Sequence, residues 1–178
     1  MRIVAGQNRG LALAGPPAGD DRIRPTADRV RESLFNLLAA RRGNPVPGAR
    51  VIDLFAGTGA LGLEALSRGA AFAMFVDDRP AALTLIRQNV GRARAGALTR
   101  IWRRDATRLG PVPEGAFDLA FLDPPYGRDL GRGALAALRA GDWLARDALV
   151  LWEAEAPQDP PEGYALVDHR AYGDTHVT

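Results

Sequence analysis

Few residues in this chain could do chemistry, and most of them are carboxylates. There is no cysteine, so disulfides, thiolate ligands and a thiol nucleophile are excluded. Imidazole comes only from His169 and His176. Neither has a carboxylate or cysteine partner at ligand spacing, so no metal is expected. The most specific string is FLDPPYG, residues 121–127. Two prolines in succession after an apolar strand hold the backbone extended and remove two amide donors. The Asp123 carboxylate and the Pro124 carbonyl are then acceptors that can both point at one NH2 group. Pro125 completes the rigid pair, and Tyr126 offers a flat face for a base. Alone, the tetrad also reads as a plain turn after a strand, with Tyr126 packed on the core.

The chemistry such a tetrad suits is transfer to an exocyclic base amine. That nitrogen is a poor nucleophile because its lone pair is delocalised into the ring. Two acceptors on its hydrogens favour a pyramidal nitrogen, and Asp123 can take the released proton. The base must first leave its stack. Tyr126 would replace part of the lost stacking, on the order of 1–3 kcal/mol.

A second constellation lies in DLFAGTGALG, residues 53–62. Gly57 and Gly59 let the backbone turn sharply and approach a ligand closely. With Gly62 the string matches G-x-G-x-x-G. Asp77 stands 20 residues after Gly57, at the end of the next apolar run, and could accept both hydroxyls of a ribose. This pattern also fits a dinucleotide-binding dehydrogenase. Two features argue against one. Asp53 precedes the first glycine by four residues, where it would repel a pyrophosphate and suit a cationic ligand. About 50 residues also come before the loop, whereas a dinucleotide fold usually begins with this strand. Asp105, in RRDA (103–106), reads either as a cap after a strand or as an acceptor for an adenine amine beside Ala106.

These residues must be positioned by alternating elements. Residues 51–55, 71–76, 99–103, 117–122 and 148–152 read as strands, and 60–68, 80–94 and 130–140 as helices. Residues 164–170 and 175–178 read as a closing antiparallel pair. The prediction is an α/β fold, Rossmann-like, with a mostly parallel seven-stranded sheet covered by helices on both faces. Ligands of such sheets sit at the C-terminal ends of the strands. An appendage over residues 1–20, β-hairpin-like in pattern with apolar pieces around Gly6–Gly10, precedes a single domain over 21–178. Pro25-Thr26 opens a further helix with Thr26 as N-cap. Val30, Leu34, Leu37 and Leu38 would form its apolar face, with Arg31 largely outside it.

The 178 residues, 47% hydrophobic, suffice for one full core. No apolar run approaches the roughly 20 residues needed to span a bilayer, and the start lacks a signal peptide's apolar core. The expectation is a cytoplasmic protein, with no membrane partner. All 23 basic residues are arginine, a habit that a high-GC genome explains. Their placement is more telling: residues 1–110 are strongly positive and residues 111–178 carry an excess of acids. A basic half suits a phosphate backbone.

The Asp53–Gly59 loop, Asp77, Asp105 and Asp123–Tyr126 together resemble the class I methyltransferases. RIRPTADRVRESLFNLL (22–38) narrows the resemblance to the bacterial 16S rRNA (guanine-N2)-methyltransferase family. It runs from RIVAGQNRG (2–10) to AYGDT (171–175). The resemblance implies S-adenosylmethionine as cofactor and a guanine amine of small-subunit ribosomal RNA as target, naked or within an assembled or assembling subunit. It implies that Arg24, Thr26 and Arg29 fold over the cofactor, and that Asp53, Gly57 and Gly59 hold its methionine end. Asp77 would hold the ribose, and Asp105 and Ala106 would flank the adenine. Asp123, Pro124, Pro125 and Tyr126 would hold the guanine, and Arg2 and Arg9 would contact RNA. The family usually has Glu where this chain has Asp77. The alternative is an adenine-N6 methyltransferase, which shares the tetrad but usually carries a target-recognition domain for which this chain has no room. A monomer is expected.

Overall fold

The apolar runs with β-branched residues become strands because both of their faces are buried. A computed structural model describes residues 1–16, 28–113, 115–125 and 129–178. Its strands are β1 (Arg50–Leu54), β2 (Phe72–Asp77), β3 (Thr99–Arg103), β4 (Phe117–Leu122), β5 (Leu144–Ala154), β6 (Arg170–Tyr172) and β7 (Thr175–Val177). Its α-helices are α1 (Asp28–Ala40), α2 (Ala60–Ser67), α3 (Pro80–Arg92) and α4 (Leu130–Ala140). They build a seven-stranded sheet in the order β3-β2-β1-β4-β5-β7-β6. The first five strands are parallel, and β7 joins β5 and β6 antiparallel. The chain order reverses between β1 and β4, which opens the crevice where such sheets take their ligands.

Strand parity divides the core. Val51, Phe75, Leu119, Phe121 and Leu151 face one side and pack with α1, α2 and α3. Ile52, Leu54, Met74, Val76, Leu122 and Trp152 face the other, against α4 and Trp143. Phe35 of α1 meets Phe121 of β4 with ring centroids 5.5 Å apart. Truncating either ring to alanine would cost about 3–5 kcal/mol.

Helix α1 buries a different stripe from the expected one: Arg31, Leu34, Phe35 and Leu38. Arg31 lies inside because a carboxylate waits there. Its guanidinium is fully buried, 3.6 Å from Glu64 of α2 and 3.0 Å from Asp28. It also donates to the Arg2 carbonyl. Glu64 in turn accepts the backbone N–H groups of Val4 and Ala5 at 2.8 and 3.0 Å. One buried ion pair thus joins α1, α2 and the N-terminal segment.

That segment makes a single antiparallel bridge, Arg2 with Ala12. Its glycine at position 6 (φ 81°) is required by close approach, since a Cβ there would stand 1.8 Å from the Ser67 carbonyl oxygen. At the other end, β5 begins earlier than the sequence suggests, and its register against β4 shifts between Phe117 and Leu119. The closing pair is shorter than expected. Of the strand expected over 164–170 only Arg170 pairs, and β6 runs on to Tyr172 against the three residues of β7. Tyr164 instead donates its hydroxyl to the Leu135 carbonyl of α4 at 2.8 Å, and Leu166 and Val167 stay exposed.

Candidate active site

The turn after β1 is built from backbone conformations that side chains rarely adopt. Phe55, Gly57 and Gly59 have φ of 59°, 56° and 77°. Two carboxylates fix the turn. Asp77 accepts the Gly57 N–H at 2.9 Å, and Asp53 accepts the Gly62 N–H at 2.9 Å. Gly62 itself serves packing: a Cβ there would stand 2.4 Å from the Phe75 ring. Asn89, buried on the otherwise apolar face of α3, donates to the Thr58 and Ala14 carbonyls at 2.9 and 3.0 Å. It ties the turn to the N-terminal segment.

The same parity that sorts the core sorts the acids. Asp53 lies two residues after Val51, Asp77 two after Phe75, Asp123 two after Phe121 and Glu153 two after Leu151. All four of those apolar residues belong to the cluster under α1 and α2. Four adjacent strands, β2, β1, β4 and β5, therefore carry one carboxylate each toward one face at their C-terminal ends. Asp53 and Asp77 are buried, Asp123 is half-buried and Glu153 is 9% exposed.

The crowding shows in their electrostatics. Burial holds the Asp53 carboxyl well above the usual carboxylate range; the Gly62 N–H opposes this, and the charges of Asp123 and Asp77 add to it. Burial, with the charge of Asp123, pushes the Glu153 carboxyl up to about 8. Asp77 has a cationic partner. The Arg79 guanidinium reaches its Oδ2 at 2.7 Å and its Oδ1 at 2.9 Å. The hydrogen bond to Asp77 raises the Arg79 pKa.

Of the residues singled out from sequence, Asp53, Gly57, Gly59, Asp77, Asp123 and Pro124 meet at this edge of the sheet. Pro124 is buried and Pro125 exposed. Arg24, Thr26 and Tyr126 lie outside the described residues. Arg29 is exposed on the first turn of α1. Asp105 follows β3, next to β2, and is exposed. It accepts the Thr107 hydroxyl and N–H at 2.7 and 2.8 Å, which lower its pKa. Its carboxylate thus caps a turn. Ala106 is buried with Leu109 on the opposite face of the sheet. Arg2 and Arg9 are exposed on the N-terminal segment.

Sequence reasoning missed Arg79, Asn89, Glu153 and the Arg31–Glu64 pair. Three of them had a signal: Glu64 interrupts the apolar helix ALGLEALS, Asn89 falls in the apolar stripe of α3, and Glu153 ends an apolar strand. Among the described residues no group of three or more His, Cys, Asp or Glu side chains is placed to hold a metal ion. No helix there is long and apolar enough to cross a membrane. A cavity of about 800 Å³ between the C-terminal end of α1, α4 and residues 160–168 contains none of the four acids.

The chain is similar to known proteins over most of its length. The family model described as Conserved hypothetical protein 95 matches residues 1–178. Ribosomal RNA small subunit methyltransferase D of Escherichia coli K12 is 39% identical over 162 residues, covering 90% of this chain and 78% of the relative. The protein of the same name from Haemophilus influenzae is 32% identical over 178 residues, covering 97% and 89%. A solved Escherichia coli structure, the candidate methyltransferase yhhF, superposes with a TM-score of 0.83 at 33% identity, covering 99% and 94%. A fold with a glycine turn, an acid on each of four neighbouring strands and relatives of this kind over its whole length leads to one assignment: the chain belongs to the Conserved hypothetical protein 95 family and is a class I methyltransferase.

Proposed function

We propose that this chain transfers a methyl group from S-adenosylmethionine to the exocyclic N2 amine of a guanine in small-subunit ribosomal RNA, in the cytoplasm. The observation that carries the reading is the position of Asp123. It follows β4 on the acid-lined face, one strand from Asp53, and two prolines follow it directly. The donor set suits the cofactor. Asp53 is buried among like charges that keep its carboxyl raised, and a cationic ligand relieves that crowding.

Asp53 and the backbone at Gly57 and Gly59 would hold the methionine end. Asp77 would accept the ribose hydroxyls, and Asp105 and Ala106 would flank the adenine. Arg24, Thr26 and Arg29 would cover the cofactor. When bound, S-adenosylmethionine supplies a methyl group activated by its sulfonium, whose electron pair stays on sulfur as the new nitrogen–carbon bond forms. Asp123 and the Pro124 carbonyl accept the two amine hydrogens and aim the lone pair. Asp123 then takes the amine proton. Pro125 keeps the acceptors rigid, and Tyr126 stacks on the flipped base. The protein's contribution is mainly alignment and electrostatics. Arg2 and Arg9, exposed on the N-terminal segment, would meet RNA phosphates.

The test is nucleoside mass spectrometry of ribosomal RNA from cells lacking the protein, before and after treatment with the purified enzyme and cofactor. The expected result is an N2-methylguanosine that is lost in the cells and restored in the tube. An unchanged nucleoside profile contradicts the proposal.

A further inference from the structure

Glu153 is a buried acid to which the reaction above gives no task. It lies one residue before the end of β5, beside the end of β4: Leu122 is in register with Trp152, so Asp123 and Glu153 are the next residues on two parallel neighbours. Adjacent strands lie about 4.8 Å apart, and registered side chains point the same way. Among the described residues no N–H, hydroxyl or cation donates to the Glu153 side chain, which is only 9% exposed. A buried carboxylate without a partner is costly. Among the described residues, its neighbour on the adjacent strand is the carboxylate proposed to do the chemistry.

We propose that Glu153 is a positioning residue for Asp123, holding that carboxylate toward the reacting amine through a carboxylic acid–carboxylate hydrogen bond. The inference rests on the role proposed for Asp123. Among the described residues, the other charged groups brought to this side of the sheet are already engaged. Asp53 binds Gly62, Asp77 binds Arg79, and Arg31 is shared by Glu64 and Asp28. On β7, Val177 lies opposite Glu153, and the flanking His176 stands 3.2 Å from His169. Burial, and after it the charge of Asp123, pushes the Glu153 carboxyl up to about 8. At neutral pH Glu153 then keeps its proton and can donate it in a hydrogen bond. A carboxylate pair of this kind titrates as a unit.

The test compares Glu153→Gln, which keeps size and a donor, with Glu153→Leu, which keeps neither charge nor donor. Single-turnover methylation of ribosomal RNA and cofactor binding by calorimetry are followed from pH 6 to 9.5. Wild type should slow above about pH 8, where Glu153 loses its proton. Glu153→Gln should stay within about threefold of wild type at pH 7 and show no such decline, and Glu153→Leu should fall about 10- to 100-fold, up to the lower limit of the roughly 10²–10⁴-fold range for a positioned acid or base. Cofactor affinity should hold in both. Melting of the ligand-free protein gives a second readout. The folded pKa of Glu153 is raised, so wild type should lose stability relative to Glu153→Gln as pH climbs from about 4.5 to 8. Adding Asp123→Asn should move that window to lower pH. The inference is overturned if Glu153→Gln is as slow as Glu153→Leu, if Glu153→Leu is as fast as wild type, or if Asp123→Asn leaves the melting window in place. If Asp123→Asn itself methylates normally, the proposed role of Asp123 fails; if Asp123→Asn is inactive and Glu153→Leu is normal, only the inference fails.

Discussion

The Asp77 carboxylate and the Arg79 guanidinium, two residues apart in sequence, meet at 2.7 Å, and the same carboxylate accepts the Gly57 N–H. Asp77 therefore sets the glycine turn and holds a cation where ribose hydroxyls are proposed to bind. Arg79 must yield for those hydroxyls to reach Asp77. Asp77→Asn should weaken S-adenosylmethionine binding about tenfold or more, the loss of roughly 1.5–3 kcal/mol for hydrogen bonds to a charged group. Arg79→Ala should bind at least as tightly as wild type. Calorimetry with both variants checks this, and equal losses would contradict it.

Asp53 is costly to the empty protein and useful to the loaded one. Its folded pKa is raised, so the native state holds that proton more tightly than the unfolded chain, and stability falls as pH rises above the ordinary aspartate range. Asp53→Asn keeps an oxygen for the Gly62 N–H and removes the charge. The ligand-free variant should melt above wild type at pH 7, with the difference closing near pH 4, while its cofactor affinity drops about tenfold or more. Melting curves at the two pH values and one binding titration test both halves.

The Arg31–Glu64 pair links three parts of the chain. Glu64→Ala leaves a fully buried guanidinium without its inner partner and strands the Val4 and Ala5 amides. Removing one member of such a pair costs about 3–5 kcal/mol. Urea unfolding should show that loss, and limited proteolysis should cut the N-terminal segment first. Resistance equal to wild type would contradict the linkage.

Gly62→Ala should destabilise by about 1–3 kcal/mol through overpacking, because the new methyl would meet the Phe75 ring. Phe75→Leu in the same chain should recover part of that loss. A double variant with a denaturation midpoint no higher than that of Gly62→Ala would contradict the packing role of Gly62.

What the sequence made legible was what local rules govern. The limits of β3, β4 and α4 followed from apolar runs bounded by breakers, and the Asp53, Asp77 and Asp123 positions followed from their places at strand ends. What it hid depends on distant partners. Arg31 looks solvent-facing by pattern and is buried because Glu64, 33 residues on, receives it. Arg79 gave no local sign of its grip on Asp77. Glu153 gained meaning only when β5 fell beside β4, a pairing across about 30 residues. The strand expected over 164–170 is displaced to Arg170–Tyr172, and Tyr164 is used by α4 instead.

The most direct measurement is single-turnover methyl transfer to small-subunit ribosomal RNA by Asp123→Asn, with cofactor binding measured on the same sample. The predicted result is cofactor affinity near wild type and a rate lower by about 10²–10⁴-fold, the range for a positioned proton acceptor. A variant that binds the cofactor and methylates within twofold of the wild-type rate would contradict the role given to Asp123.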